Sequence, residues 1–123
     1  MILVDTSVWI DHLRATETRL VRLLANDEIG CHPFVVEELA LGSIKQRDVM
    51  LGFLSNLQQF PTVTHREVLH LVDRRRLWGK GLSAIDVNLL GSVTLVKGAQ
   101  LWTRDKRLKA VCAEVGVAVV DEA

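Results

Sequence analysis

Acidic residues at four well-separated places carry the chemistry this sequence could perform. Asp5 follows the apolar run Ile2-Leu3-Val4, with the hydroxyls of Thr6 and Ser7 beside it, and Asp105 follows Leu101-Trp102-Thr103-Arg104. Asp86 sits one turn into an otherwise almost wholly apolar helical stretch, and the adjacent pair Glu37 and Glu38 lies within Phe34-Val35-Val36-Glu37-Glu38-Leu39. Hard divalent ions such as magnesium and manganese prefer carboxylate oxygens. Bound to acids, they supply what phosphodiester hydrolysis needs, a water made nucleophilic near neutral pH and a counter-charge for the developing negative charge. Three or four acids facing one cleft would be the signature of that chemistry.

Each acid also has a plain structural reading. Asp5 or Ser7 can cap the helix that follows, and Asp105 can cap a helix starting at Lys106. Ser83-Ala84-Ile85-Asp86 has the Ser-x-x-acid spacing of a capping box, in which backbone amides satisfy Asp86. Against this, a buried carboxylate in an apolar helix is costly unless a cation or strong donors compensate it. Of Glu37 and Glu38 only one can lie beside the inward stripe. Glu38, three residues after Val35 and next to Leu39, is favoured by periodicity but not fixed by it. The set weighs more than its members, because several of these acids stand at element starts that one crevice could gather.

The elements that must position these acids follow from hydrophobic spacing. Ile2-Leu3-Val4 reads as a buried strand that stops where Asp-Thr-Ser opens a helix. Val8, Trp9, Ile10 and Leu13, then Leu20, Val21, Leu23 and Leu24, predict two helices separated near Ala15-Thr16. Glu28 to His32 forms a second strand, and Pro33 opens a helix that Gly42 ends. Val49, Leu51, Phe53, Leu54 and Leu57 give another helix, with Pro61-Thr62-Val63 a brief third strand. Thr64-His65-Arg66-Glu67 is a capping-box pattern opening a helix that runs to about Leu77. Ser83 caps the apolar helix through Ile85, Val87, Leu89, Leu90, Val93 and Val96, which ends at Gly98. Leu101-Trp102-Thr103 is a fourth strand, and the helix through Leu108, Val111 and Val115 leads by Gly116 to a fifth, Val117 to Val120. Strands alternating with helices define an α/β protein with a central, mostly parallel five-stranded sheet flanked by helices. Its ligand crevice lies beyond the carboxyl ends of the strands, where Asp5 and Asp105 stand. No linker or repeat divides residues 1–123, so one domain is expected.

Fifteen Lys and Arg balance fifteen Asp and Glu, so net charge draws the chain neither to nucleic acid nor to an anionic membrane. Any RNA contact must be a local patch. Arg104 and Lys106 flank Asp105 and suit phosphate contact, whereas Arg74-Arg75-Arg76 reads as a solvated helix face. Trp9 and Trp102 lie inside apolar patterns, which leaves Trp78 as the residue free to stack a base. Nothing places two of His12, His32, His65 and His70 in one cleft, so imidazole acid-base catalysis is set aside. Gly79-Lys80-Gly81 lacks the full spacing of a phosphate loop and reads as a turn. Cys31 and Cys112 lack metal-type spacing and are expected as buried thiols in a cytosolic protein. No apolar run approaches the roughly 18 residues of a membrane span, and the short apolar N-terminus carries no basic leader.

Val4-Asp5-Thr6-Ser7-Val8-Trp9, Glu38-Leu39-Ala40-Leu41-Gly42, Asp86 in its apolar helix and Thr103-Arg104-Asp105 together resemble the PIN domain, and more closely the small VapC-like toxins of bacterial toxin and antitoxin pairs. The resemblance spans essentially the whole chain and keeps the order of elements. It implies a PIN-like fold and a catalytic set of Asp5, Glu38, Asp86 and Asp105, with Asp5, Asp86 and Asp105 as metal ligands. It also selects Glu38 over Glu37 and makes Ser7 and Thr103 the supporting hydroxyls. The implied activity is endoribonucleolytic cleavage with magnesium or manganese. The implied partners are an RNA substrate, a VapB-like antitoxin whose tail enters the groove, and a second copy of the chain. Two other readings stay open, a PIN scaffold that binds RNA or protein without cutting, and a phospho-accepting or phosphatase-like domain. The latter wants an acid two residues after Asp5, where Ser7 stands, or adjacent acids after the first strand.

Overall fold

Three short apolar runs form the centre of the molecule. β1 (Ile2–Val4) lies between β2 (Ile29–Cys31) and β4 (Gln100–Trp102), and β3 (Gln58–Gln59) adds outside β2. All pairs are parallel, with Leu3 opposite Gly30 and Leu101, and Gly30 opposite Gln58. The computed structural model describes residues 1–122. Its helices are α1 (Thr6–Arg14), α2 (Thr18–Ala25), α3 (Pro33–Ala40), α4 (Arg47–Asn56), α5 (His65–Arg75), α6 (Ala84–Thr94) and α7 (Lys106–Val115).

Parallel strands need crossovers, and helices supplied as crossovers cover both faces of the sheet. β1 and β2 are accordingly buried along their whole length. The core joins Leu3, Val4, Leu101 and Trp102 of the sheet to Val8 and Trp9 of α1, Val35 and Leu39 of α3, and Leu108 and Val111 of α7. Every residue of α6 from Val87 to Val93 is buried, the pattern of a helix enclosed on all sides. α5 contributes no buried residue and packs on α6 from outside.

Two strand expectations are corrected. Among the described residues the sheet has four strands, because the Val117 to Val120 segment makes an isolated bridge between Val119 and Leu101, with backbone bonds from Leu101 N to Ala118 O and from Val120 N to Leu101 O. The third strand is Gln58–Gln59, earlier than Pro61-Thr62-Val63. Phe60 still donates to Cys31 O, and Pro61 then lacks the amide that would continue the ladder. Gly30 is required in β2, since a Cβ there would lie 2.5 Å from the buried Phe60 ring.

Candidate active site

Helix starts place three of the four acids, Asp5, Asp86 and Asp105. Asp5 is the N-cap of α1 and accepts the Thr6 amide at Oδ1 (2.8 Å). Its Oδ2 accepts the hydroxyls of Ser7 (2.8 Å) and Thr103 (2.7 Å), so this buried carboxylate is held at both oxygens. Asp105 is the N-cap of α7, with Oδ1 accepting from the amides of Arg107 and Leu108. Its own amide donates to the Thr103 hydroxyl oxygen at 3.1 Å. A single threonine therefore ties together the acids that end β1 and β4.

Glu38 and Asp86 enter from the other two sides. Pro33 at the first turn of α3, with the His32 imidazole accepting the Phe34 amide, fixes the start of that helix. One turn later Glu38 is half-buried and Glu37 exposed. Glu38 Oε1 accepts the Thr6 hydroxyl at 2.7 Å, which brings α3 to the start of α1. Asp86 and Ser83 form the complete capping box, Oδ2 taking the Ser83 amide at 2.9 Å. The structural reading of Asp86 thus holds, yet it does not exhaust the residue. Burial pushes the Asp86 carboxyl above the ordinary carboxylate range against the opposing pull of the Ser83 hydrogen bonds, and the negative charges of Asp105 and Asp5 push it further. Asp86 therefore shares a field with both strand-end acids.

No lysine or arginine among the described residues makes an ion pair with Asp5, Glu38, Asp86 or Asp105. The negative charges of Asp105 and Asp5 acting on Asp86 would favour a cation there. The donor set, carboxylate oxygens steadied by hydroxyls, suits magnesium or manganese in kind and charge. As the side chains stand, no group of three or more His, Cys, Asp or Glu among the described residues is gathered closely enough to hold an ion. Asp86 gives one oxygen to the Ser83 amide and Asp105 one to the Arg107 and Leu108 amides, so each carboxylate keeps a second oxygen outside its cap.

The remaining candidates separate by environment. Lys106 and Trp78 are exposed, Trp78 in the loop leading to Ser83. Arg104, expected to face RNA, instead has its guanidinium occupied by Asp11, Glu17 and Glu122. Trp9 and Trp102 are core residues, and Cys31 and Cys112 are free and buried. No helix of the described residues is long and apolar enough to cross a membrane. The sequence reading pairs Thr6 with Asp5 and leaves its bond to Glu38 unseen, because only tertiary folding brings α3 against α1.

The chain belongs to the PIN domain family, which it matches over residues 2–114. It is 75% identical over 122 residues to Ribonuclease VapC32 of Mycobacterium tuberculosis, strain CDC 1551 / Oshkosh, covering 99% of this chain and 98% of the relative. The same figures hold for Ribonuclease VapC32 of strain ATCC 25618 / H37Rv. Among solved structures it is similar to the crystal structure of PAE2754 from Pyrobaculum aerophilum, with TM-score 0.62 over 89% of this chain and 83% of that one. At 19% identity that likeness speaks to the fold alone.

Proposed function

We propose that this chain, acting as one domain, is a metal-dependent endoribonuclease, the toxin of a toxin and antitoxin pair, and that Asp5, Glu38, Asp86 and Asp105 are its catalytic acids. The observation that carries this reading is the set of four carboxylates, drawn from the ends or starts of four elements, with no cation among the described residues to neutralise them. The 75% identity to proteins named Ribonuclease VapC32 supports it over a non-cleaving scaffold. The phosphatase-like alternative finds no support, since Ser7 is committed to Asp5 rather than replaced by a second acid.

Asp5, Asp86 and Asp105 would hold the ion, with magnesium or manganese the metals their oxygens suit. When bound, such an ion would make water more acidic and offset charge on the scissile phosphate. Glu38, fixed by Thr6, orients or deprotonates the attacking water, while Ser7 and Thr103 keep the Asp5 carboxylate from turning. Lys106, at the start of α7 beside Asp105, meets RNA phosphate, and Trp78 offers a face for a base. A VapB-like antitoxin blocks the groove, and the working form is a homodimer in the cytoplasm.

The test is incubation of total cellular RNA with purified, antitoxin-free protein and magnesium or manganese, with and without chelator. Discrete fragments that vanish with chelator and in Asp5→Asn support the reading. Fragments that persist in both would assign the cutting to something other than this site.

A further inference from the structure

Arg104 stands between the two best-anchored acids, and both its backbone and its side chain grip one face of α1. Its amide donates to Ser7 Oγ at 3.1 Å, and Ser7 donates in turn to Asp5. Its Nη1 donates to Asp11 at 2.7 Å and to Glu17 at 2.8 Å, and its Nη2 donates to Glu122 at 2.7 Å, with Nε also reaching Glu122. Ser7 and Asp11 are four residues apart on α1 and so share a face, one turn above the other. Arg104 thus spans that turn, attached at both ends, while Glu122 brings the C-terminal tail onto the same guanidinium.

An isolated surface ion pair contributes little. A single guanidinium fork shared by three carboxylates differs, because the rigid donor is ordered once for several charge-assisted bonds. Four of the five guanidinium N–H groups donate to these carboxylates, two from Nη1 and one each from Nε and Nη2, which leaves a single Nη2 N–H outside the cluster. Asp11, Glu17 and Glu122 thus offset the Arg104 charge that a phosphate would otherwise meet.

We infer that Arg104 is a positioning residue, a buckle that fixes the Thr103–Asp105 strip against the Asp5 end of α1 and so sets how Asp5 and Asp105 face each other. The inference rests on reading those acids as the metal site. It also gives the C-terminal tail a part in the site, since Glu122 completes the buckle and Arg19 Nη1 holds the Asp121 carbonyl beside it.

The test titrates manganese alone into metal-free wild type, Arg104→Met, Arg104→Lys, Asp11→Asn and Glu122→Gln, alongside thermal melting and RNA cleavage kinetics. Arg104→Met is expected to bind manganese about tenfold or more weakly, with kcat reduced and KM for RNA nearly unchanged. Asp11→Asn and Glu122→Gln should show smaller losses in the same direction, and Arg104→Lys should recover part of the affinity. Unchanged manganese affinity with raised KM and a flatter salt dependence of RNA binding would make Arg104 a phosphate contact and overturn the inference. A lower melting temperature with manganese affinity unchanged would reduce it to a structural tether and also overturn it. If Arg104→Met fails to fold, the two acid variants decide. Manganese binding without RNA cleavage by wild type would remove the ribonuclease reading and leave the buckle testable, whereas no manganese binding by wild type would remove both.

Discussion

Thr103 donates its hydroxyl to Asp5 at 2.7 Å across a separation of 98 positions, and the same oxygen accepts the amide of Asp105. Thr103→Val keeps the shape and removes both bonds. A buried carboxylate oxygen and an amide would each lose a partner, for a stability loss of about 1–3 kcal/mol. Manganese affinity should fall about tenfold or more, as when an outer partner of a metal ligand is lost. Calorimetric titration beside a urea melt checks both. A stability loss with unaltered affinity would show that Thr103 serves folding alone.

Asp86→Asn separates the cap from the charge. The carboxyl is raised mainly by burial, with Asp105 and Asp5 adding to it, so its ionised form disfavours the folded, metal-free protein at neutral pH. Asparagine can still accept the Ser83 amide through its side-chain oxygen. The metal-free variant is expected to melt at or above the wild-type temperature at pH 7. Manganese should raise the melting temperature of wild type and leave the variant where it was. A variant that melts lower and still responds to manganese would make Asp86 a cap only.

Much of the architecture is legible in the sequence because its signals are local. The capping boxes at Thr64 and Ser83 form as their spacing predicts, and Pro33 opens α3. Each is a contact within one helical turn. The misplaced third strand and the missing fifth depend instead on which neighbour offers free backbone groups. Gln58–Gln59 is polar and exposed, yet pairs because β2 has an open edge there. The ion pairs of Arg104 are hidden for a similar reason. Asp11, Glu17 and Glu122 are scattered along the chain, and beside Asp105 a basic residue resembles a phosphate contact until folding supplies its carboxylates.

Gly81 has φ +79°, and a Cβ there would lie 2.7 Å from Cδ of Arg107. Gly81→Ala is expected to lose about 1–2 kcal/mol from the left-handed backbone conformation, and to displace the Arg107 side chain from the loop that leads to Asp86. Equilibrium urea unfolding measures the loss. A variant as stable as wild type would mean that the loop relaxes to another conformation at no cost.

Burial pushes the thiols of both Cys31 and Cys112 up to about 11. The folded value exceeds the ordinary 9.0, so the neutral thiol is favoured by folding. Its contribution is full below pH 9 and lost as pH rises towards 11. Iodoacetamide at pH 8 should leave both cysteines unlabelled in native protein and label both in urea. The urea midpoint should decline between pH 9 and 11. Rapid native labelling at pH 8 would show that one of these thiols reaches solvent.

Crystals grown with manganese, with anomalous scattering recorded at the manganese edge, test the central claim most directly. The expected result is an anomalous peak within coordination distance of carboxylate oxygens of Asp5, Asp86 and Asp105, with Glu38 beside it. A peak elsewhere, or none at saturating manganese, would contradict it.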